Sequence, residues 1–566
     1  MANFYTENKD LKFIMEQMMD WERIVAFKET PGSDDCPFET ADEAKATYLE
    51  TLKDPVGEVA ANRIAPRADE VDEIGCKCEN GVVIFPEALQ RNLKDLRDAQ
   101  LMGVTIPREY GGLGFPGSVY TAAIEVVSQA DASLMNFFGL QCGIAETIAQ
   151  FATDDLKAKY LPRMSSGEFT GAMALTEPDA GSDLAAVQCR AEGGAAGIAA
   201  TQDPATGMWK INGSKRFITN GCGDVILVLA RSEDPAKKGG GRGLSFFLVE
   251  KCERVKVRRI EHKLGIHGSP TCELYFDDCP AYLIGMRGMG LARYTAWLML
   301  AARLAIGAQA QGIAQAALVE AVKYANEREQ FGKPIKVFPQ VAAMLANMRA
   351  MCEASRAVLY ATSEVVDLNQ GAEAKGLKDE MRKYGRVAEA LTPIAKYCCT
   401  EFANRICYDA IQIHGGNGFI NEYAVGRLYR DVRITNIYEG TSQIQVNWAI
   451  SRLARGDLDE TLEGLAATVF ADAELAALQA EVKQAHAVLR ECLAFLKDKD
   501  ASYRELVAAH ATDIFVDVYA SYLLLAQAAK WDYKRKVAAR YIRTMAPRVA
   551  MNRAYTLNAS VEELNP

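Results

Sequence analysis

The chain has 566 residues, more than one hydrophobic core usually spans, so several domains are expected. Nearly half of it is hydrophobic (49%), while acidic side chains outnumber basic ones 74 to 64; the net charge of −10 argues against a nucleic-acid binder, which needs a basic footprint. Glu7, Asp10, Glu16 and Asp20 break up any leader-like apolar stretch, and the run from Trp297 to Ala302 is stopped by Arg303 far short of a membrane span, so a cytoplasmic protein is expected.

From about Thr6 to Gly167 the texture is helical. Phe85, Leu89, Leu93 and Leu96 fall at helical spacing with charges on the opposite face, and Ile106 to Gly117 is a glycine-rich break. From about Phe169 to Gly285 the period changes. The β-prone runs Val225 to Ala230, Leu244 to Val249 and Cys272 to Phe276 are separated by turn clusters at Asp203 to Gly207 and Gly239 to Gly243, which predicts a compact antiparallel β domain. Arg254, Lys256, Arg258 and Arg259 form a basic cluster that reads as a solvated strand face.

Helical texture returns from about Leu291 to Ala454. Here Ala301, Ala305, Ala308, Gly312, Ala316 and Ala317 would let helices approach closely. More than a hundred residues follow Gly456. Leu475, Leu478, Val482, Ala485, Leu489, Leu493 and Leu496 make one apolar stripe, suited to packing onto the body or, as the alternative, to a coiled-coil seam. Ile514 to Leu525 is apolar nearly all round and should be a buried helix. The expected division is 1–167 (helical, with a leading segment), 168–285 (β), 286–455 (helical bundle) and 456–566 (helical extension).

The fourteen cysteines follow no regular framework and read as reduced thiols; Cys76 and Cys78 lack the second pair that a zinc site needs. His262, His267, His414, His486 and His510 show no i, i+4 pairing, and neither a Gly-x-Ser-x-Gly elbow nor a phosphate-binding glycine loop of the usual kinds is present.

Five segments remain. Met173 to Asp183 (MALTEPDAGSD) offers hydroxyls and backbone N–H groups to a carbonyl-rich ring, or simply caps a helix at Ser182 or Asp183. In Gly213 to Gly221 (GSKRFITNG), Phe217 and Thr219 share a strand face by period two, and Asn220-Gly221 signals a hairpin turn; on this segment alone Phe217 reads as core. Glu327 to Pro334 (EREQFGKP) is a charged helix end that leaves Arg328 for a phosphate or for solvent. Gln412 to Gly418 (QIHGGNG) is a glycine loop that would admit a ligand to the backbone. In Tyr438 to Gln443 (YEGTSQ) an acid stands beside glycine, between an aromatic and a hydroxyl; in apolar surroundings its raised pKa would suit a general base, whereas an isolated loop glutamate is usually just solvated.

Together these strings, in order from about Ile106 to Arg452, resemble the FAD-dependent acyl-CoA dehydrogenases. The resemblance implies an α+β fold with a helical N-terminal domain, a middle β domain and a C-terminal four-helix bundle, here with an extra helical extension. It implies that Met173, Leu175, Thr176, Phe217, Ile218 and Thr219 meet the flavin, with Gly181 and Ser182 beside it. Arg328, Phe331, Gln412 and Gly416 would reach the cofactor of a partner subunit, and Thr441 and Gln443 would also touch it. Ser182, Arg303 and Gly440 would serve the substrate.

By the same resemblance Glu439 would take the α-proton of an acyl-CoA while hydride passes to flavin N5, giving a trans-2-enoyl-CoA. The Glu439 N–H and a ribityl hydroxyl would polarise the thioester carbonyl. Electrons would pass to an electron-transferring flavoprotein. Relatives that carry the base on a helix place it one residue before an arginine; here those positions are Ala302 and Arg303, which leaves Glu439. The family's arginine in Lys-x-Gly-x-Arg-x-Ser is His267 in this chain, which questions any ion-pair role there.

The leading segment and the extension are similar to a longer bacterial branch that includes 3-methylmercaptopropionyl-CoA dehydrogenases, and an extension packed on the bundle would favour a homodimer over a tetramer. The rival readings are an acyl-CoA oxidase and a flavin-containing DNA-associated protein of alkylation response; the net charge and the retained acid argue against the second.

Overall fold

The computed structural model describes residues 2–34, 36–192, 208–236 and 238–564, so the turn expected at 203–207 lies outside them. The chain separates into two compact units, Met1–Phe4 with Leu52–Ala305, and Tyr5–Thr51 with Ile306–Pro566. The leading helices α1 (Lys9–Phe13), α2 (Trp21–Lys28) and α3 (Ala41–Thr51) therefore belong with the C-terminal helices rather than with those that follow them in sequence.

In the first unit α4 (Ala68–Ile74) leads into a hairpin of β1 (Lys77–Glu79) and β2 (Val82–Ile84), then α5 (Glu87–Asp98), α6 (Gly117–Ala130), α7 (Met135–Phe151) and α8 (Asp154–Ser165). Helix α5 buries Leu89, Leu93 and Leu96 of the stripe read from sequence, while Phe85 stands before the Pro86 cap and is only half-buried. The β region follows: β3 (Gly171–Ala174), β4 (Arg190–Glu192), β5 (Trp209–Thr219), β6 (Val225–Arg231), β7 (Leu244–Glu250), β8 (Val255–Ile260) and β9 (Thr271–Ile284).

These strands pair as a ring, β6–β4–β5–β9–β7 and back to β6, with β3 added on β6 and β8 on β9. The expectation of an antiparallel domain needs amendment, because β3 and β4 both pair parallel to β6. The Asn220-Gly221 turn also closes no hairpin: β5 pairs with β4 and β9, while β6 pairs elsewhere. Local turn chemistry specifies a reversal but not which strand comes alongside. On β8, Lys256, Arg258 and Arg259 are exposed and ion-paired with Asp277 and Glu273, the solvated face that was expected.

Helix α9 (Ala296–Glu327) continues from the first unit into the second. The second unit adds α10 (Pro339–Ala374), α11 (Lys378–His414), α12 (Ala424–Val432), α13 (Ser442–Leu453), α14 (Asp459–Ala466), α15 (Ala473–Lys497), α16 (Ala501–Lys530) and α17 (Arg535–Asn558). The whole α15 stripe, from Leu475 to Leu496, shares one core with Ala350 and Val358 of α10, Leu391 and Ile394 of α11, and Val446 of α13. The extension is thus packed onto the bundle, not a free coiled-coil seam.

A buried charge network ties the ends of the chain into this unit. Asp10 accepts from Arg356 (2.6 Å) and from Lys534, Lys534 also donates to Glu353 (2.7 Å), and Arg356 donates to Gln315 (2.7 Å). Burial alone would raise the Asp10 carboxyl, but Lys534 and Arg356 overcome this and hold it below the usual aspartate range.

A second buried acid goes the other way. Burial pushes the Asp513 carboxyl up to about 7; the Tyr397 hydroxyl, donating at 3.0 Å, offsets part of this, and Asp517 and Glu401 add to it. The folded chain therefore holds this proton more tightly than the unfolded chain, and stability falls as pH rises from the ordinary aspartate range through about 7. Asp513→Asn, which cannot ionise, is expected to be more stable than the wild type at pH 8 by about 3–4 kcal/mol and nearly equal to it near pH 4. Denaturant midpoints at the two pH values check this.

Candidate active site

In the first unit, the MALTEPDAGSD segment leaves β3 with Met173 and Leu175 buried and Thr176 partly exposed. Glu177 and Ala180 bond each other's backbone around Pro178-Asp179, which makes a tight turn and leaves Gly181 and Ser182 exposed. Asp183 caps a short 3-10 helix at Leu184–Ala186, so the capping reading of this segment holds as well.

The loop is pinned to β5. Arg216 N donates to Thr176 O (2.9 Å), and the fully buried Lys215 ammonium donates to Leu175 O and to the Glu177 carboxylate, both at 2.8 Å. The β5–β9 register shifts between Lys215 and Ile218, and Phe217 has φ +60°. This bulge inserts a residue and reverses the alternation, so Lys215 faces the core while Phe217 turns its ring outward, 52% exposed. Ile218 is again buried and Thr219 partly exposed. Phe217 and Thr219 do share a face, and Phe217 is not core. The result is one outward aromatic ring, with the Thr176 and Thr219 side chains partly exposed and Met173, Leu175 and Ile218 buried.

In the second unit, Glu439 (φ +54°) and Gly440 (φ +90°) stand consecutively in left-handed backbone. A non-glycine residue held there is strained and needs outside restraint. The restraint is visible: Gln445 donates to both the Glu439 and Gly440 carbonyls (3.1 and 3.0 Å), and the buried Lys396 ammonium of α11 donates to Gly440 O (2.6 Å). Tyr438 donates to Gln309 on α9, while Asn436 and Ser442 both donate to Glu401 (2.5 and 2.6 Å). Thr441 caps α13, and Gln443 is exposed on its first turn. Glu439 itself is partly exposed.

Lys396→Met is expected to lower turnover about 10-fold while leaving the cofactor bound, because the part-buried Gly440 carbonyl loses a charged donor, worth about 1–3 kcal/mol, and keeps only Gln445 of the two donors, which loosens the loop. A fall in kcat with an unchanged flavin spectrum checks it; loss of flavin would show a global defect instead.

The EREQFGKP string forms a minute hairpin, Glu329–Gln330 against Lys333–Pro334. Phe331 (φ +52°) and Gly332 (φ +75°) are its two turn residues, the geometry of a type I′ turn, and Phe331 is 93% exposed. One turn earlier, Tyr324 stacks on His414 at 4.2 Å, and Asn417 donates to Tyr324 and Tyr423 (3.0 and 3.1 Å). Arg328, Phe331, Gln412 and Gly416 are thereby brought to one end of this unit.

Ala302 is buried and Arg303 partly buried on α9, in the part of that helix that belongs to the first unit. His267 meets the Asp72 carboxylate at 2.8 Å and Lys263 O at 3.0 Å, so a charge pair remains available there whenever the ring is protonated. Nothing in the sequence signals the supporting roles: Glu177, Lys215 and Gln445 lie inside the TEPDAGSD, KRFITNG and YEGTSQIQ strings without being singled out, and Lys396 lies outside all five.

Sequence profiles of acyl-CoA dehydrogenase N-terminal, middle and C-terminal domains match residues 48–168, 172–279 and 288–454. The 3-methylmercaptopropionyl-CoA dehydrogenase of Ruegeria pomeroyi is 34% identical over 82% of this chain and 78% of its own. The chain belongs to the acyl-CoA dehydrogenase family. Butyryl-CoA dehydrogenase of Megasphaera elsdenii is similar over 73% of this chain and 98% of its own (29% identity, TM-score 0.61). An FAD-complexed acyl-CoA dehydrogenase of Bacillus anthracis shares the fold over 97% of this chain and 92% of its own, extension included (TM-score 0.76, 23% identity).

As an acyl-CoA dehydrogenase family member the chain is an oxidoreductase acting on acyl-CoA, and its cofactor is FAD. The residues present fit that cofactor: the outward Phe217 ring, the Thr176 and Thr219 hydroxyls and the apolar Met173 and Leu175 suit a planar ring edged with carbonyls.

Proposed function

We propose that this acyl-CoA dehydrogenase oxidises the Cα–Cβ bond of an acyl-CoA thioester to a trans-2-enoyl-CoA, with Glu439 as the base, and passes the electrons to an electron-transferring flavoprotein. The strained and externally fixed Glu439–Gly440 turn carries this reading. Lys396 and Gln445 bind the backbone carbonyls, so the main chain that carries the carboxylate is held in place. FAD supplies the hydride acceptor. Glu439 would take the α-proton onto a carboxylate oxygen, and its N–H would donate to the thioester oxygen as negative charge develops there. Gly440 has no side chain to crowd the thioester; a Cβ built there would meet Gln445 Nε2 at 2.5 Å. Met173, Leu175, Thr176, Gly181, Ser182, Phe217, Ile218 and Thr219 would hold the flavin, with Thr441 and Gln443 also at the cofactor and Ser182, Arg303 and Gly440 at the substrate.

The same reading includes a homodimer in which Arg328, Phe331, Gln412 and Gly416 reach the partner's cofactor. Its support is the exposed apolar end of the second unit, with Phe331 and Phe419 at 93% and 90% exposure. A light-scattering mass near four chains would sink the dimer.

The activity is tested by anaerobic titration of the yellow enzyme with a panel of straight, branched and thioether acyl-CoAs. Bleaching by at least one thioester, and reoxidation by a flavoprotein acceptor much faster than by O₂, are expected. An enzyme reoxidised mainly by O₂ would be an oxidase, and no bleaching by any member would refute the reading.

A further inference from the structure

Among the fourteen cysteines Cys252 alone is exposed, and its sulfur lies 3.7 Å from that of the buried Cys279. Strand pairing explains the meeting. One edge of β9 carries two ladders in succession, β7 through Phe246↔Ile284 and Leu248↔Tyr282, and β8 through Val255↔Phe276. Cys252 sits in the turn between β7 and β8, where continuation of either register falls opposite Asp278 or Cys279. The turn is closed by Val255 N to Cys252 O (3.0 Å) and tied to β9 by Asp277 N to Arg254 O (3.1 Å). Cys279 is itself fixed by its pairing with Ile211 of β5. An exposed thiol is thus held beside a buried one on a rigid frame, a short displacement from disulfide bonding distance.

We propose that Cys252 and Cys279 form a dithiol modification site that takes a small organic disulfide such as glutathione disulfide. The Cys252 thiolate, its proton released to solvent, attacks one sulfur of the reagent. A protein–glutathione bond forms, the reagent's S–S bond breaks, and one glutathione leaves as thiolate. Cys279 then gives up its proton and attacks the Cys252 sulfur, closing the protein disulfide and releasing the second glutathione. Two protein thiols are oxidised and one disulfide is reduced to two thiols. Burial, and next the neighbouring Cys252, push the Cys279 thiol far above the usual range, so Cys279 makes a poor first nucleophile and the closing step is the slower one. The bond spans 27 positions and encloses β8 and the segment that carries His267. Closing such a loop restrains the unfolded chain, so the oxidised form should melt higher and return to the reduced midpoint with dithiothreitol.

The test treats the full-length, FAD-loaded enzyme with glutathione disulfide and maps peptides without reduction. A Cys252 adduct that decays into a Cys252–Cys279 linked peptide is expected. Cys279→Ser should hold the adduct at Cys252, and Cys252→Ser, an exposed position that the fold tolerates, should leave Cys279 unmodified. A wild-type adduct that never closes, a link to any other cysteine, no reaction at Cys252, or an adduct lost as fast in Cys279→Ser as in the wild type would each overturn the proposal.

Discussion

Glu439→Gln is expected to keep FAD bound and the fold intact while slowing flavin reduction by a good acyl-CoA about 10³-fold, the range typical of losing a general base. The amide preserves side-chain length and leaves the backbone that Lys396 and Gln445 hold, so only proton uptake is removed. Two features make the loss large. The helix position used as base by other relatives is Ala302, which has no proton acceptor, and the restraint on the turn acts on carbonyls that the substitution leaves in place. The measurement is stopped-flow bleaching under anaerobic conditions, with the flavin spectrum as the check on folding. Bleaching at the wild-type rate would show that Glu439 is not the base.

Asp10→Ala is expected to destabilise the second unit by about 3–5 kcal/mol, the cost of leaving buried cations without their acid. Arg356 would keep Gln315 and the Cys352 sulfur, and Lys534 would keep Glu353, but both would lose the Asp10 carboxylate. The wild-type carboxyl is held low, so its contribution is present at neutral pH and lost as pH falls through its folded pKa; the gap between wild type and Asp10→Asn should therefore narrow in acid. Denaturant unfolding at neutral and acid pH measures both effects. A gap that stays constant with pH would mean that the charge contributes nothing.

The same network shows what a sequence can reveal here. The α5 and α15 stripes were legible because helical burial repeats every three or four residues, and the five strings were legible because their unusual residues stand close together. Asp10 lies 346 positions from Arg356 and 524 from Lys534, so nothing local announces that the leading segment joins the C-terminal helices. The β5 bulge was hidden for a related reason: a single inserted residue reverses the alternation after Lys215, and only the partner strand β9 reveals it. The parallel pairing of β3 and β4 with β6 likewise depends on which strands meet, a property of the ring and not of any one run.

Ring closure leaves β8 at the margin of the sheet: among the described strands it pairs with β9 alone, and the β1–β2 turn approaches its backbone, where a Cβ at Gly81 would meet Val257 O at 3.2 Å. An unpaired strand edge invites another chain to add to it, and native proteins often guard such edges with cations. Lys256, Arg258 and Arg259 stand on that strand, with acids drawn from β9 as their partners. On this principle the basic cluster that looked bland in the sequence is expected to discourage sheet-to-sheet aggregation. Its value would show during crowded expression and refolding, as soluble yield, and would leave turnover untouched.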